Sequence, residues 1–463
     1  MKKITLLLAS ILLAIGINAQ SNMTLYNMGN VPQRLTVNPA LAPDCKWYLG
    51  MPILSSTDIS FGSSALNISD INNALDVNSR GKYTVNLKTL GTAFDKGTFV
   101  NIGINQEWLN FGFRVKKSMF TFGITEKIKT RVDFPTDLFK VAFEGNGGQN
   151  LGHAFNFNFG LDVLHTREFA VGYNRSLLNE KLRVGGRLKY VRGLNVINTK
   201  SNDVIFTTDP NTFAYTVTAD IEVNTSTPIL DSALGVDNPS TLVLGSPKNG
   251  GFGIDLGASY ELTDRITLSA SVVDLGRIFW NDYTTNVKSR NPGAAFMYRG
   301  IDINEYTGDS VQGGAGFEAL TDTILDVFAL DTNKNSFSTG LLGEFYIGGN
   351  FHLNDRHNAG ILLYGSFYNK SFYPALTLSW NSEFGRILAV SGSYTISRSS
   401  ATNIGLGLAL NLGPEQFYVV GDNLIGTATG NLQTVYIRFG WNHTFGRKKY
   451  QEQNKKQKKK STE

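Results

Sequence analysis

One cysteine, Cys45, occurs in 463 residues, so no intrachain disulfide is possible, and none stands beside the N-terminal leader where a lipid anchor would attach. Charged residues make up only 17% of the chain, too few for an ordinary cytosolic enzyme. Beyond the leader there is no run of about 18 apolar residues, which excludes a transmembrane helix. Histidine is sparse as well: His153, His165, His352, His357 and His443 are scattered, with no spacing suited to a metal. The stretch opening at Asp331 begins like a calcium loop but has Ser336 where the sixth-position glycine belongs and Leu342 where the last glutamate belongs. No G-x-S-x-G elbow and no set of Ser, His and acid is present, and Gly251, Gly253 and Gly257 fall inside a strand pattern, not at a strand-to-helix turn. Neither catalysis nor a bound cofactor or metal is expected.

What the chain has instead is 48 Gly, 30 Phe and 18 Tyr, arranged with a period of two. In the closing run TVYIRFGWNHTF, Val435, Ile437, Phe439, Trp441 and Phe445 share one face of an extended strand, opposite Thr434, Tyr436, Arg438, Asn442 and Thr444. One face suits hydrocarbon and the other water, which is the unit of a membrane-spanning barrel. The same alternation covers His153 to Asp162, Phe252 to Glu261, Ile266 to Val272 and Ile404 to Asn411. The polar face carries mostly Gly, Ser, Thr, Ala and Asn, which suits a crowded interior. Turns are expected at Lys117-Ser118, Leu178 to Lys181, Leu262 to Asp264, Asn354 to His357, Asn369-Lys370, Ser382 to Gly385, Arg398 to Ala401 and Leu412 to Pro414. The pattern predicts an all-β, antiparallel up-and-down transmembrane barrel of about fourteen strands, toward eighteen if weak ones such as Asp203 to Thr207 count.

The domain order follows. Residues 1–19 read as an export signal, with Lys2 and Lys3 before an apolar core. Residues 20–46 are polar and proline-punctuated, so they belong in the lumen or the periplasm and not against lipid. The barrel takes 47–446, and 447–463 form a basic tail. Its net charge of +6, against −3 for the body, suits a periplasmic extension near anionic polymer or lipid, and no nucleic-acid partner is expected. With both termini periplasmic in a bacterial outer membrane, the long connections Asn224 to Gly250 and Leu275 to Thr339 face outward. Short amphipathic helices are expected at Asp133 to Glu144 and Ala319 to Leu330. Alternation sends Arg183, Arg187, Lys189, Asp255, Glu261, Glu344 and Arg438 inward, so the lumen is either a wet channel or a salt-bridged filling. An open lumen with this cluster of Arg183, Arg187 and Lys189 would favour an anionic headgroup or solute.

The segments NPAL at Asn38–Leu41, WYLGMP at Trp47–Pro52, YVVGDNL at Tyr418–Leu424, and RFGWN at Arg438–Asn442 with Phe445-Gly446 resemble a Bacteroidota family of outer-membrane barrels of unknown function. The NPA element is also similar to one in long-chain fatty-acid transporters and in barrel partners of the type IX secretion system. The transporter likeness implies that Asn38, Pro39 and Ala40 belong to an N-terminal hatch. Unlike many such barrels, the chain continues for eighteen residues past Phe445. Two functions are expected to compete: a narrow channel or transporter for a hydrophobic or amphipathic solute, and a scaffold that docks secretion, motility or surface-assembly proteins. Membrane lipid is an expected partner under both.

Overall fold

A computed structural model describes residues 22–64, 68–77, 82–86, 89, 99–228, 246, 248–298, 327–368, 371–397, 403–424 and 434–447. They form a closed antiparallel barrel of 14 strands. Strand β1 is Trp47–Gly50 with Ser56–Ser63, β2 is Phe99–Val115, β3 Ser118–Asp133, β4 Gly160–Leu177 and β5 Leu182–Thr208. Strand β6 joins Tyr215–Ser226 to Gly250–Glu261. Strand β7 runs Ile266–Trp280 and continues as Asn286–Ser289 and Ala294–Tyr298, and β8 comprises Leu330–Asn333, Phe337–Gly340 and Glu344–His352. Then come β9 (His357–Tyr368), β10 (Ser371–Phe384), β11 (Leu388–Ser397), β12 (Asn403–Leu412), β13 (Glu415–Asp422) and β14 (Thr434–Phe445). Closure is made where β1 pairs with β14, Trp47 opposite Phe445 and Ile59 opposite Ile437. A closed ladder leaves no backbone donor or acceptor facing lipid.

The period of two decides which side of the wall each residue takes. On β12, Leu406, Leu408 and Leu410 are 51%, 46% and 38% exposed on the outside, while Gly405, Gly407 and Ala409 are buried within. Leucines so exposed around a whole circumference fit acyl chains as their solvent. One end of the barrel is closed by turns of two to four residues, at 116–117, 178–181, 262–265, 353–356, 385–387 and 413–414. The other end carries the longer connections, including helix Thr136–Glu144.

Several boundaries differ from the pattern-based expectation. His153 to Asp162 is not one strand: Ala154–Asn156 pairs high on β5, and β4 begins at Gly160. Asn158 explains the gap, because its Oδ1 accepts from Val204 N and its Nδ2 donates to Asp203, replacing ladder bonds with side-chain ones. The outer connection starts later than Leu275, since β7 keeps pairing upward, Tyr298 opposite Tyr215. Thr339 likewise lies in β8. The expected turn at Ser382 is two residues early, because β10 runs to Phe384 against Leu388, and Asp203 to Thr207 is simply the upper part of β5. Most of Ala319 to Leu330, the turns at 369–370 and 398–401, the signal at 1–19 and the tail beyond Arg447 lie outside the described residues.

Candidate functional site

Residues 22–46 lie inside the barrel. Helix Met23–Tyr26 and the 3-10 turn Pro32–Thr36 are joined by tight bends, and nearly every side chain is buried. So much enclosed backbone needs partners. Asp422 on β13 accepts from the backbone N–H of Met23 and Thr24 and from the Thr24 hydroxyl. Asn27 donates to Ser379 on β10 (2.9 Å), and Gln33 donates to Asn442 on β14 (2.9 Å) and Glu107 on β2 (3.2 Å). Arg34 turns back onto its own segment, donating to the carbonyls of Tyr26 and Gly29. Burial lowers its guanidinium to about 10, so the cation survives at neutral pH. Burial also raises the Tyr26 hydroxyl, and pushes the Cys45 thiol up to about 12, where it is neither nucleophile nor ligand.

Asn38, Pro39 and Ala40 sit where this segment meets β4 to β7. Asn38 Nδ2 donates to the Tyr26 hydroxyl (2.9 Å) and its Oδ1 accepts from Ala40 N (3.0 Å), while Ser271 donates to Val37 O (2.6 Å) and Asn174 to Pro39 O (3.1 Å). The seat exists because two wall positions lack a side chain. A Cβ on Gly185 would stand 2.4 Å from Pro39 O, and one on Gly257 would stand 2.2 Å from Asn38 Oδ1.

Beyond the segment, toward the long connections, is a cavity of about 600 Å³ whose floor includes Asn22, Thr36 and Val37. One wall is ionic. Lys189 Nζ stands 2.7 Å from Asp255 and also bonds Asp274, Lys127 Nζ stands 2.8 Å from Glu168 and 2.9 Å from Asp274, and Arg187 reaches Asp255 at 3.4 Å. Three cations meet three carboxylates across five consecutive strands, β3 to β7, so the wall is neutral as a unit. Opposite it, Arg438 on β14 pairs with Asp58 on β1, while its Nε and Nη1 have no partner among the described residues. The remaining lining mixes polar side chains such as Asn101, Thr125, Lys129 and Asn198 with the apolar Leu164, Val196, Val273, Leu341 and Phe367.

Of the charges that alternation sends inward, Arg187, Lys189, Glu344 and Arg438 line the cavity, and Asp255 stands fully buried behind it. Arg183 instead faces the inner segment, donating to Ala42 O at 3.4 Å, and Glu261 stands at the end of β6 beside the 262–265 turn, apart from the cavity. Sequence reasoning missed Lys127, Glu168 and Asp274. The first was readable, since Lys127, Lys129 and Arg131 alternate in EKIKTR. Asp274 was not: the ladder shifts register there, between Ile254 and Leu256 of β6, and Asp274 takes φ 57, so both it and Val273 are buried.

A family model described as "Family of unknown function (DUF5723)" matches residues 39–422. No curated protein matches the chain. Among solved structures it is similar to the monoaromatic hydrocarbon channel TodX of P. putida in a deletion-mutant form (9% identity, 90% of this chain and 99% of that one, TM-score 0.43). It is likewise similar to the Ralstonia pickettii toluene transporter TbuX (11% identity, 91% and 100%, TM-score 0.41) and to a Pseudomonas aeruginosa FadL homologue (9% identity, 88% and 92%, TM-score 0.37). Likeness at this level carries no argument about function, which must come from the lumen.

Proposed function

We propose, for a chain that belongs to the DUF5723 family of unknown function, an outer-membrane channel plugged by its own residues 22–46, whose lumen admits a small amphipathic solute. The observation that carries this reading is the cavity of about 600 Å³ above the plug, a size suited to a small organic molecule, with cations and aliphatic side chains on the same walls. A hydrocarbon alone would leave Lys129 and Arg438 without a ligand partner, and a plain ion would make no use of Leu164, Val196 and Leu341. The cavity also reaches an interruption in the wall. Regular pairing between β7 and β8 stops at Gly340 and resumes at Glu344. Of the three residues between, Leu341 still donates to Gly276 O (3.0 Å), while Leu342 and Gly343 have no ladder partner among the described residues, a weak seam through which a solute would pass sideways into lipid. In this reading Asn38, Pro39 and Ala40 hold the plug's lower half, and the short turns face the periplasm.

Planar bilayers test it. The intact barrel is expected to pass little current, and a variant lacking residues 22–42 a stable one, blocked by a short-chain alkyl carboxylate from the side of the long connections. A folded deletion variant that stays silent would sink the channel. Current indifferent to the carboxylate, but blocked by an uncharged aromatic hydrocarbon, would replace the amphipath with a purely apolar solute.

A further inference from the structure

The outer wall of β4 to β7 interrupts its own apolar surface at one level. From the short-turn end upward, β5 presents Val184, Leu188 and Tyr190 outside, 38%, 68% and 50% exposed, and β6 presents Leu256 and Phe252, 50% and 61% exposed. Then the outward residues become basic: Arg167 on β4, Arg192 opposite it on β5, and Arg277 on β7, paired in register with Phe252. Ten residues separate Arg192 from Leu182 at the start of β5. At about 3.3 Å per residue and a tilt near 40°, that is about 25 Å, the height of the hydrocarbon belt on such barrels. The arginines therefore stand where acyl chains give way to headgroups. Phe169 and Tyr190 (6.2 Å apart) lie one same-face pair beneath Arg167 and Arg192, Phe252 is level with Arg277, and Phe279, 6.5 Å from Phe252, stands one such pair above it.

The charges at this level are unequal. Arg167 is committed to Glu126, which also holds His165 at 2.7 Å and the indole N–H of Trp108 at 3.1 Å. Lys248, just above, stands 3.9 Å from Asp282. Arg192 has no side-chain partner among the described residues, and its Nε is shielded from solvent without an acceptor. Arg277 donates only to the Ser338 hydroxyl, at 2.9 Å. Two guanidiniums thus face the membrane boundary with no carboxylate, over an aromatic and aliphatic surface that would take the chains of the same molecule.

We infer that this face binds an anionic, phosphate-bearing lipid of the leaflet on the side of the long connections, its headgroup on Arg192 and Arg277 and its chains over Tyr190, Leu188, Phe252 and Leu256. Guanidinium pairs bidentately with phosphate oxygens, and a site at the membrane boundary loses less of that attraction to water than an exposed one. Arg192 stands apart from the lumen, whereas Arg277 and Ser338 also border the cavity at the 341–343 stretch of the wall, so the headgroup would sit beside that border and not within the cavity.

Native mass spectrometry of the full barrel released from micelles containing equal phosphatidylglycerol and phosphatidylcholine tests it. The intact protein is expected to retain phosphatidylglycerol preferentially, and each of Arg192→Gln and Arg277→Gln to lower that preference about fivefold, the usual worth of one basic residue at an anionic lipid surface. The double lysine variant should keep most of it. Arg175→Gln, exposed near the short-turn end of β4, should leave it unchanged. Heat-modifiable gel mobility reports that each variant still forms the barrel. No preference in the intact protein, or a preference that survives the double glutamine variant, would overturn the assignment. So would loss of bound lipid to equimolar inorganic phosphate, which would show a phosphate site without a role for the chains.

Discussion

The two halves of the barrel fill their interior by different means. From β9 to β13 the inward residues are mostly small or neutral, among them Gly360, Ser379, Ser393, Gly405, Gly407 and Ala409, with Asp422, which holds Met23 and Thr24, a charged exception, and the space they leave is taken by the chain's own residues 23–31. From β3 to β7 small residues again seat the segment low in the wall, at Gly185 and Gly257, but above them the inward residues are long and charged and meet each other. Backbone packed against glycine leaves no room, because a Cβ on Gly405 would stand 2.2 Å from Thr24 Oγ1. Paired side chains on one wall leave space in front of them. The cavity lies along the charged wall above Gly185 and Gly257 for that reason: the barrel is a seat where glycine lines it and a vestibule where paired charges do.

The comparison predicts unequal damage from single changes. Lys189 is 2% exposed at its side chain and holds Asp255, Asp274 and Glu168 together. Lys189→Met strands carboxylates in a nearly dry wall and should cost about 3–5 kcal/mol, read as a lower urea midpoint for unfolding from lipid vesicles. Adding Asp255→Asn should recover a good part of it, and a single variant as stable as the intact barrel would show that water already screens this wall. A smaller effect is expected lower on the same wall, at the glycine seat of Asn38. Gly257→Val drives a side chain into Asn38 and should cost about 1–3 kcal/mol as an overpacked site, while raising conductance by unseating Asn38-Pro39-Ala40. Lost stability with no change in current would mean that this end of the segment does not govern the path.

The two halves were not equally legible in the sequence. On β12 and β14 strict alternation assigns every side chain correctly, because a one-residue slip would expose Gly and Asn to lipid and bury Leu and Phe. Fourteen strands follow from counting such runs. In the charged half the ladder is bulged, between Glu107 and Leu109, between His165 and Thr166, and between Ile254 and Leu256, and after each bulge the count of two restarts on the other face. Periodicity could not see that Asp274 turns inward. The inner segment was legible only as a place where strands cannot be. That Asn38 and Pro39 rest on Gly185 and Gly257 is a relation across more than a hundred residues, which no local pattern contains.

The finest test of the contrast uses Cys45, where the inner segment leads into β1. It is 2% exposed beside Leu35, Ala42, Tyr48 and Met119, and burial raises its thiol from 9.0 to about 12. A raised acid in the folded state holds its proton where the unfolded chain has lost it, so stability falls as pH climbs from 9 toward 12 and is unaffected below 8. At pH 10 the unfolded thiolate is favoured by about 1.4 kcal/mol, an order-of-magnitude figure. The stability difference between the intact barrel and Cys45→Ala should shrink by about that amount between pH 8 and pH 10, and iodoacetamide should label the thiol only after unfolding. If the difference is flat with pH and the folded protein alkylates readily, the thiol meets water. The segment would then be loosely held even at its tethered end, where Cys45 packs against Tyr48 and Met119.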